Sequence, residues 1–251
     1  MSTHTYRQEF FDYIETGSLR SASIVVPLAR QMLRVESVLD VGCGRGAWLS
    51  EWSRQDVSVT GVDGSYVDRK SLLIPESRFI AADLSRPIDL GRKFDLVQSL
   101  EVAEHLPEAA ADTFVDTLAR HGPTILFSAA VPGQGGEHHV NEQPYDYWRD
   151  KFRRRGYLAF DALRPMLTGD HRVEPWYRYN VLLFIAESET GRLSPSLASA
   201  RLPDGAAIPD VSPLSFRLRK SIFRRLPPPW VSQLAVVKHK ITNRARSRAA
   251  S

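Results

Sequence analysis

The chain has one cysteine, Cys43, among its 251 residues, so no internal disulfide can form. It also lacks any run approaching the ~20 apolar residues that span a bilayer, and its polar start, Met1-Ser-Thr-His-Thr-Tyr-Arg7, does not read as a secretory leader. A cytoplasmic location is the resulting expectation. Acidic residues are missing from 212–251, which hold ten Lys and Arg; residues 1–211 carry 23 basic against 29 acidic side chains, although the whole chain is +4. Phosphate-tracking surfaces are basic where the substrate lies, so an acidic body argues against a nucleic-acid partner. The length suits one domain with a full core plus appendages.

What is present begins with Val38-Leu-Asp-Val-Gly-Cys-Gly-Arg-Gly-Ala-Trp48. Val38, Leu39 and Val41 read as a buried parallel strand, and Gly42, Gly44 and Gly46 remove the Cβ atoms that would hold a ligand off the backbone. The spacing is Gly-x-Gly-x-Gly, not the Gly-x-Gly-x-x-Gly of dinucleotide folds. Asp40 would repel a pyrophosphate at this strand end but attract a cationic ligand. A second strand ends in Asp63, 17 residues beyond Gly46 and near the ~20-residue offset at which a carboxylate clasps ribose hydroxyls. A third ends in Asp83-Leu84, where a carboxylate can accept from an adenine amino group and a leucine can pack on the ring. A fourth, from Phe94 to Leu100, leads into Glu101-Val-Ala-Glu-His105-Leu-Pro107.

Four strand-end motifs in this order, spanning residues 38–106, resemble the class I S-adenosylmethionine-dependent methyltransferases. The resemblance implies an α/β fold, a Rossmann-like doubly wound sheet of seven strands, with S-adenosylmethionine and substrate over the carboxyl ends of the strands. It places Asp40, Gly42 and Gly44 at the methionine moiety, Asp63 at the ribose, Asp83 and Leu84 at the adenine, and Ser99 and Glu101 beside the methyl donor. Gln98-Ser99-Leu100-Glu101 stands where enzymes that methylate amino groups of nucleic-acid bases carry an Asn-Pro-Pro-Tyr type motif, which argues against base methylation.

The remaining chain divides by pattern. Residues 1–36 predict a helical lid, broken at Gly17-Ser18, with Phe10, Phe11, Ile14, Ile24, Val25, Leu28 and Met32 on its apolar face. Residues 37–188 predict the cofactor-binding domain, with strands over 157–163 and 179–187, the final one antiparallel by family analogy. Residues 189–213 read as a Ser/Pro/Gly/Ala linker, and 214–251 as a basic tail. In that tail Leu214, Leu218, Ile222 and Leu226 repeat every four residues among cations, ended by prolines 227–229. Contact with a membrane surface or a partner protein through 214–241 is expected from that pattern.

Methyl transfer from an activated donor requires alignment of the acceptor and, for a hydroxyl, removal of its proton. The loop from Pro132 to Pro144 must hang over the cofactor face. Its His138 and His139 are the first candidates for a base, with His105, four residues after Glu101, as the third. Glu137, His138, His139, Asn141 and Glu142 crowd the same loop but match no defined metal spacing, so no metal is assigned. Tyr145, Tyr147 and Trp148 are expected to stack on an acceptor ring, and the His-His-Val-Asn-Glu-Gln run resembles glycan and glycosylated-metabolite methyltransferases. O-methylation of a sugar or other small polar acceptor follows; a catalytically silent cofactor-binding subunit and a protein or RNA-ribose methyltransferase are the alternatives.

Overall fold

A computed structural model describes residues 8–224, with side chains from Glu15 onward. Its strands are β1 (Ser37–Val41), β2 (Ser58–Asp63), β3 (Phe79–Ala81), β4 (Leu96–Leu100), β5 (Thr124–Ser128), β6 (Tyr157–Phe160) and β7 (Leu182–Ala186). The helices are α1 (Gln8–Met32), α2 (Ala47–Arg54), α3 (Ala111–His121), α4 (Tyr145–Arg153), α5 (Arg164–Leu167), α6 (Pro175–Asn180), α7 (Pro195–Ser199) and α8 (Leu214–Phe223). One sheet runs β3-β2-β1-β4-β5-β7-β6, parallel except for β7, which is antiparallel to both of its neighbours. This is the expected Rossmann-like architecture of seven strands.

Alternation along each strand feeds two apolar layers. On one face Val38, Leu96 and Leu100 join Val25, Val26 and Ala29 of α1 with Leu49 and Trp52 of α2. On the other, Leu39, Val41 and Val97 meet Phe114, Val115 and Leu118 of α3 with Trp148 and Phe152 of α4. Both faces are covered, and β1 and β4 are buried along almost their whole length. The strand order reverses between β1 and β4, so the crevice at their carboxyl ends is where such folds take a ligand. A shallow cavity lined by Lys93, Asp95, Pro123 and Tyr157 opens at the opposite edge and contains none of the candidate site residues.

Three sequence expectations are corrected. The first helix is not broken at Gly17-Ser18: α1 runs through both and through Pro27. Tertiary contact overrides weak propensity there, since Gly17 lies against Glu174, where a Cβ would come within 3.0 Å, and Ser18 Oγ bonds the Tyr177 hydroxyl at 2.9 Å. The strand expected from Tyr179 begins only at Leu182, because Pro175 starts α6, which takes Tyr179 and Asn180. The 189–213 segment is packed on the body: Leu202 N–H bonds the Ala159 carbonyl, Asp161 N–H bonds that of Ala200, and Leu197 and Ile208 are buried.

The helix expected from Leu214 is present as α8, and cations of its basic face turn inward. Lys220 is buried on Asp210 and Arg219 donates to the Gln134 carbonyl at 2.7 Å, while Leu214, Leu218 and Ile222 are 79, 62 and 53% exposed. Among the described residues no helix is long and apolar enough to cross a membrane. The expected proline stop at 227–229 and the second half of the 214–241 contact segment lie outside the described residues, as do the side chains of Phe10, Phe11 and Ile14.

Candidate active site

The loop after β1 turns on three glycines in the left-handed region, Gly42 (φ 91°), Gly44 (54°) and Gly46 (87°). At Gly42 a Cβ would lie 2.3 Å from Val102 Cγ2, so glycine alone lets this loop rest on the segment leaving β4. At Gly44 the same atom would meet nothing within 4 Å, and the backbone faces open space. That bare turn is a cradle that a ligand can approach closely. The neighbouring Arg45, which composition alone would leave on the surface, pairs with Glu15 of α1 at 3.2 Å.

Two buried acids underlie the cradle. Asp63, at the end of β2, accepts the Gly44 N–H at 2.7 Å and the Gly64 N–H at 2.6 Å, and the Tyr66 hydroxyl donates to the same carboxylate. Burial raises the Asp63 pKa against the pull of those three bonds. Asp40 is held one layer below. Trp52 Nε1 donates to Gln98 Oε1, and Gln98 Nε2 donates to Asp40 Oδ2, each at 2.8 Å. Burial, with a smaller push from the Asp63 charge, lifts the Asp40 carboxyl to about 7 despite the Gln98 bond. Two acids raised together in a low-dielectric site create a demand for positive charge, which a sulfonium and an ammonium supply. The open backbone at Gly44 and these acids thus fit S-adenosylmethionine.

The other expected cofactor residues are placed less uniformly. Asp83 follows β3 with its side chain 57% exposed, bonded to Ser85 N–H and Oγ, and these bonds lower its pKa. Leu84 is buried in the α3 side of the core. Ser99 is fully buried in β4, and its Oγ has no hydrogen-bond partner. Glu101 leaves β4 with φ +56°, an uncommon conformation for a non-glycine residue and one that marks functional turns. Its carboxylate is gripped by Gln134 Nε2 at 2.6 Å and Asn180 Nδ2 at 3.3 Å, and burial raises its pKa against them.

Beyond Glu101 the chain makes a 3-10 turn, Ala103–His105, so Glu101 and His105 are not the i, i+4 neighbours on one α-helical face that the sequence suggested. Glu104, which the sequence reading passed over, is completely buried. The backbone groups of Glu104 and Ala130 lie near enough to favour its carboxylate, but neither oxygen has a well-formed hydrogen bond. Burial, then the Glu101 charge, raises its pKa well above the ordinary range. His105 stacks edge-on against His139 with ring centroids 4.9 Å apart, and burial lowers its pKa to about 3.

His139 Nδ1 bonds Glu142 Oε1 at 2.8 Å, and Glu142 is itself fixed by the N–H groups of Gly133 and Gly135. Although burial would raise the Glu142 pKa, the His139 bond and these donors bring it below the usual value. His138 is exposed with φ +59°, and its backbone bonds the His105 ring. His105 and His139 therefore converge, whereas the His138 side chain points outward.

The aromatic platform expected after the loop is part of the framework. Trp148 is buried on Phe127, and the Tyr145 hydroxyl is spent on the Tyr179 carbonyl and Asn180 Oδ1, while burial lifts its pKa out of reach. Of the residues that sequence reasoning missed, Gln98, Gln134 and Asn180 act through tertiary hydrogen bonds, whereas the Glu104 side chain is buried without one; only the Glu101-x-x-Glu104-His105 spacing could have signalled one of them.

A family model described as a methyltransferase domain matches residues 7–166. The ubiquinone biosynthesis O-methyltransferase of Agrobacterium fabrum (strain C58) is 30% identical over 115 residues, 42% of this chain and 44% of that protein. The match thus spans less than half the length of that curated relative. Among solved structures, Streptomyces venezuelae DesVI superposes with a TM-score of 0.55 at 14% identity, covering 70% of this chain and 96% of that one. The magnesium protoporphyrin IX methyltransferase of Synechocystis PCC 6803, solved with bound S-adenosylmethionine, does so with a TM-score of 0.50 at 19% identity, over 74% and 86% of the two chains. At these identities the structures share the fold.

Proposed function

Because the chain belongs to the methyltransferase-domain family of class I S-adenosylmethionine-dependent enzymes, we propose that it methylates a hydroxyl oxygen of a sugar or other small polar acceptor. The cofactor, when bound, supplies an electrophilic methyl group on a sulfonium sulfur. Gly42 and Gly44 would let its methionine end approach the backbone, Asp40 would balance its positive charge, and Asp63 would accept from the ribose hydroxyls, displacing the Tyr66 hydroxyl. With the donor already activated, the protein's task is to align the acceptor and dispose of its proton.

The observation that carries the reading is the His139–Glu142 pair at 2.8 Å, anchored by two backbone N–H groups beside buried His105. An imidazole held by a carboxylate on one nitrogen presents the other in a fixed orientation, the arrangement of a positioned proton acceptor. Val102, which lies between Glu101 and His105 in the chain, packs on Gly42, and this supports placing the His139 cluster beside the cofactor cradle. The O-methyltransferase relative supports a hydroxyl acceptor, although the alignment covers 44% of it. The acidic body supports a small molecule over a nucleic acid.

The test follows label from methyl-tritiated S-adenosylmethionine into a panel of small polyols and sugars, with RNA and protein substrates in parallel. His139→Ala should lower turnover roughly 100- to 10,000-fold while leaving cofactor affinity intact. Transfer to RNA or protein alone, or full turnover in both His138→Ala and His139→Ala, would remove this reading.

A further inference from the structure

We propose that Glu104, His105 and His139 form a binding site for one first-row divalent cation, Mn2+, Fe2+, Co2+ or Zn2+, at the carboxyl end of β4 beside the cofactor cradle. One donor atom from each of these residues lies within 4.8 Å of the other two, the only such grouping among the described residues. Three features make this more than a chance cluster. Both Glu104 oxygens are fully buried without a hydrogen-bond partner, and so is His105 Nδ1. Buried polar groups are almost always satisfied, so three orphan acceptors at one point ask for a ligand that accepts their lone pairs.

The second feature is the outer support. A metal-binding histidine characteristically gives its other ring nitrogen to a carboxylate, and His139 Nδ1 does so to Glu142, leaving Nε2 for the cluster. Glu142 is held in turn by Gly133 and Gly135 N–H. The third is room: a Cβ at residue 136 would lie 2.1 Å from His139 Nε2, so glycine there keeps that nitrogen accessible. Two imidazoles and one carboxylate favour first-row transition ions over Mg2+ and Ca2+, which prefer oxygen donors, and three protein ligands leave coordination positions open.

What the cation does there rests on the hydroxyl-acceptor reading, whereas its binding does not; with the ion bound, His139 Nε2 is a ligand and no longer the proton acceptor. An acceptor hydroxyl taking an open position would release its proton to solvent at lower pH than free hydroxyls do. Its oxygen lone pair forms the new C–O bond as the C–S bond breaks, and that electron pair stays on sulfur in departing S-adenosylhomocysteine.

The experiment titrates the chelator-stripped full chain with Mn2+ or Zn2+ alone by calorimetry, with Mg2+ and Ca2+ in parallel and circular dichroism to verify folding of each variant. One equivalent should bind, and the same ion should raise the melting temperature. Glu142→Gln should weaken binding roughly 10- to 100-fold and Glu104→Gln or His139→Ala more, while His171→Ala, remote from the cluster, leaves it unchanged. Absent or non-saturable binding, preference for Mg2+ or Ca2+, or full affinity in Glu104→Gln would overturn the site. Methyl transfer with and without chelator separates the two readings. Chelator-resistant hydroxyl methylation without binding discards the cation alone, and binding without any hydroxyl methylation discards the acceptor alone.

Discussion

Asp40 sits where burial and ligand binding pull in opposite directions. Its carboxyl titrates near 7 in the fold against 3.8 for an unperturbed group, so between those values the folded chain holds the extra proton. Stability from this group is complete below about 4 and is lost as pH rises through 7. Glu101 and Glu104 are raised in the same sense. The cofactor-free protein should therefore melt at progressively lower temperature from pH 5 to pH 8. Asp40→Asn, which keeps an acceptor for Gln98, should recover about 4 kcal/mol at pH 8, less than half of that at pH 5, and bind S-adenosylmethionine less tightly. Parallel melting curves for the two proteins across that range would show that Asp40 is not the strained group. At this scale Asp40, Gly44 and Asp63 were legible because strand-end acids and a glycine turn are local patterns. Glu104 was not, since its isolation from partners arises only when the 132–144 loop closes over it.

Helix α8 and the loop it braces behave as one unit. Arg219 and Arg224 donate to the Gln134 and Pro132 carbonyls, and Lys220 O stands where Gly133 would carry a side chain, 2.2 Å from a Cβ. Gly133 also has φ +83°, a conformation a side chain resists. Gly133→Ala should thus cost about 1–3 kcal/mol of stability, read as a lowered melting temperature, and should reduce turnover because the same loop carries His139 and Glu142. Unchanged melting would mean that α8 does not clamp the loop. The repeat of apolar residues in α8 announced a helix correctly, but which face docks depended on carbonyls of a distant loop, and the cations won it. The same logic explains α1, which glycine and serine did not interrupt because α6 packs on that point, and the 189–213 segment, whose small polar composition concealed the backbone pairing of Leu202 with Ala159 of β6 and of Ala200 with the adjacent Asp161.

For the whole molecule, the succession of strands along the chain was the most readable property. Each parallel strand ended in a recognisable acid or turn, and the family resemblance supplied the antiparallel seventh strand that periodicity alone does not reveal. The reversal between β1 and β4 then puts Gly42, Gly44, Asp63 and Glu101 at one crevice, at the end of the sheet away from the Lys93–Tyr157 cavity. That this crevice holds S-adenosylmethionine through Asp63 is the claim on which the remaining chemistry stands. Calorimetric titration of S-adenosylmethionine into the wild-type protein and Asp63→Asn, with NAD and ATP as controls, tests it most directly. The account predicts saturable one-to-one binding by the wild type, at least about tenfold weaker binding by the variant, and no heat from either control. Equal affinity in the two proteins, or binding of NAD in place of S-adenosylmethionine, would contradict it.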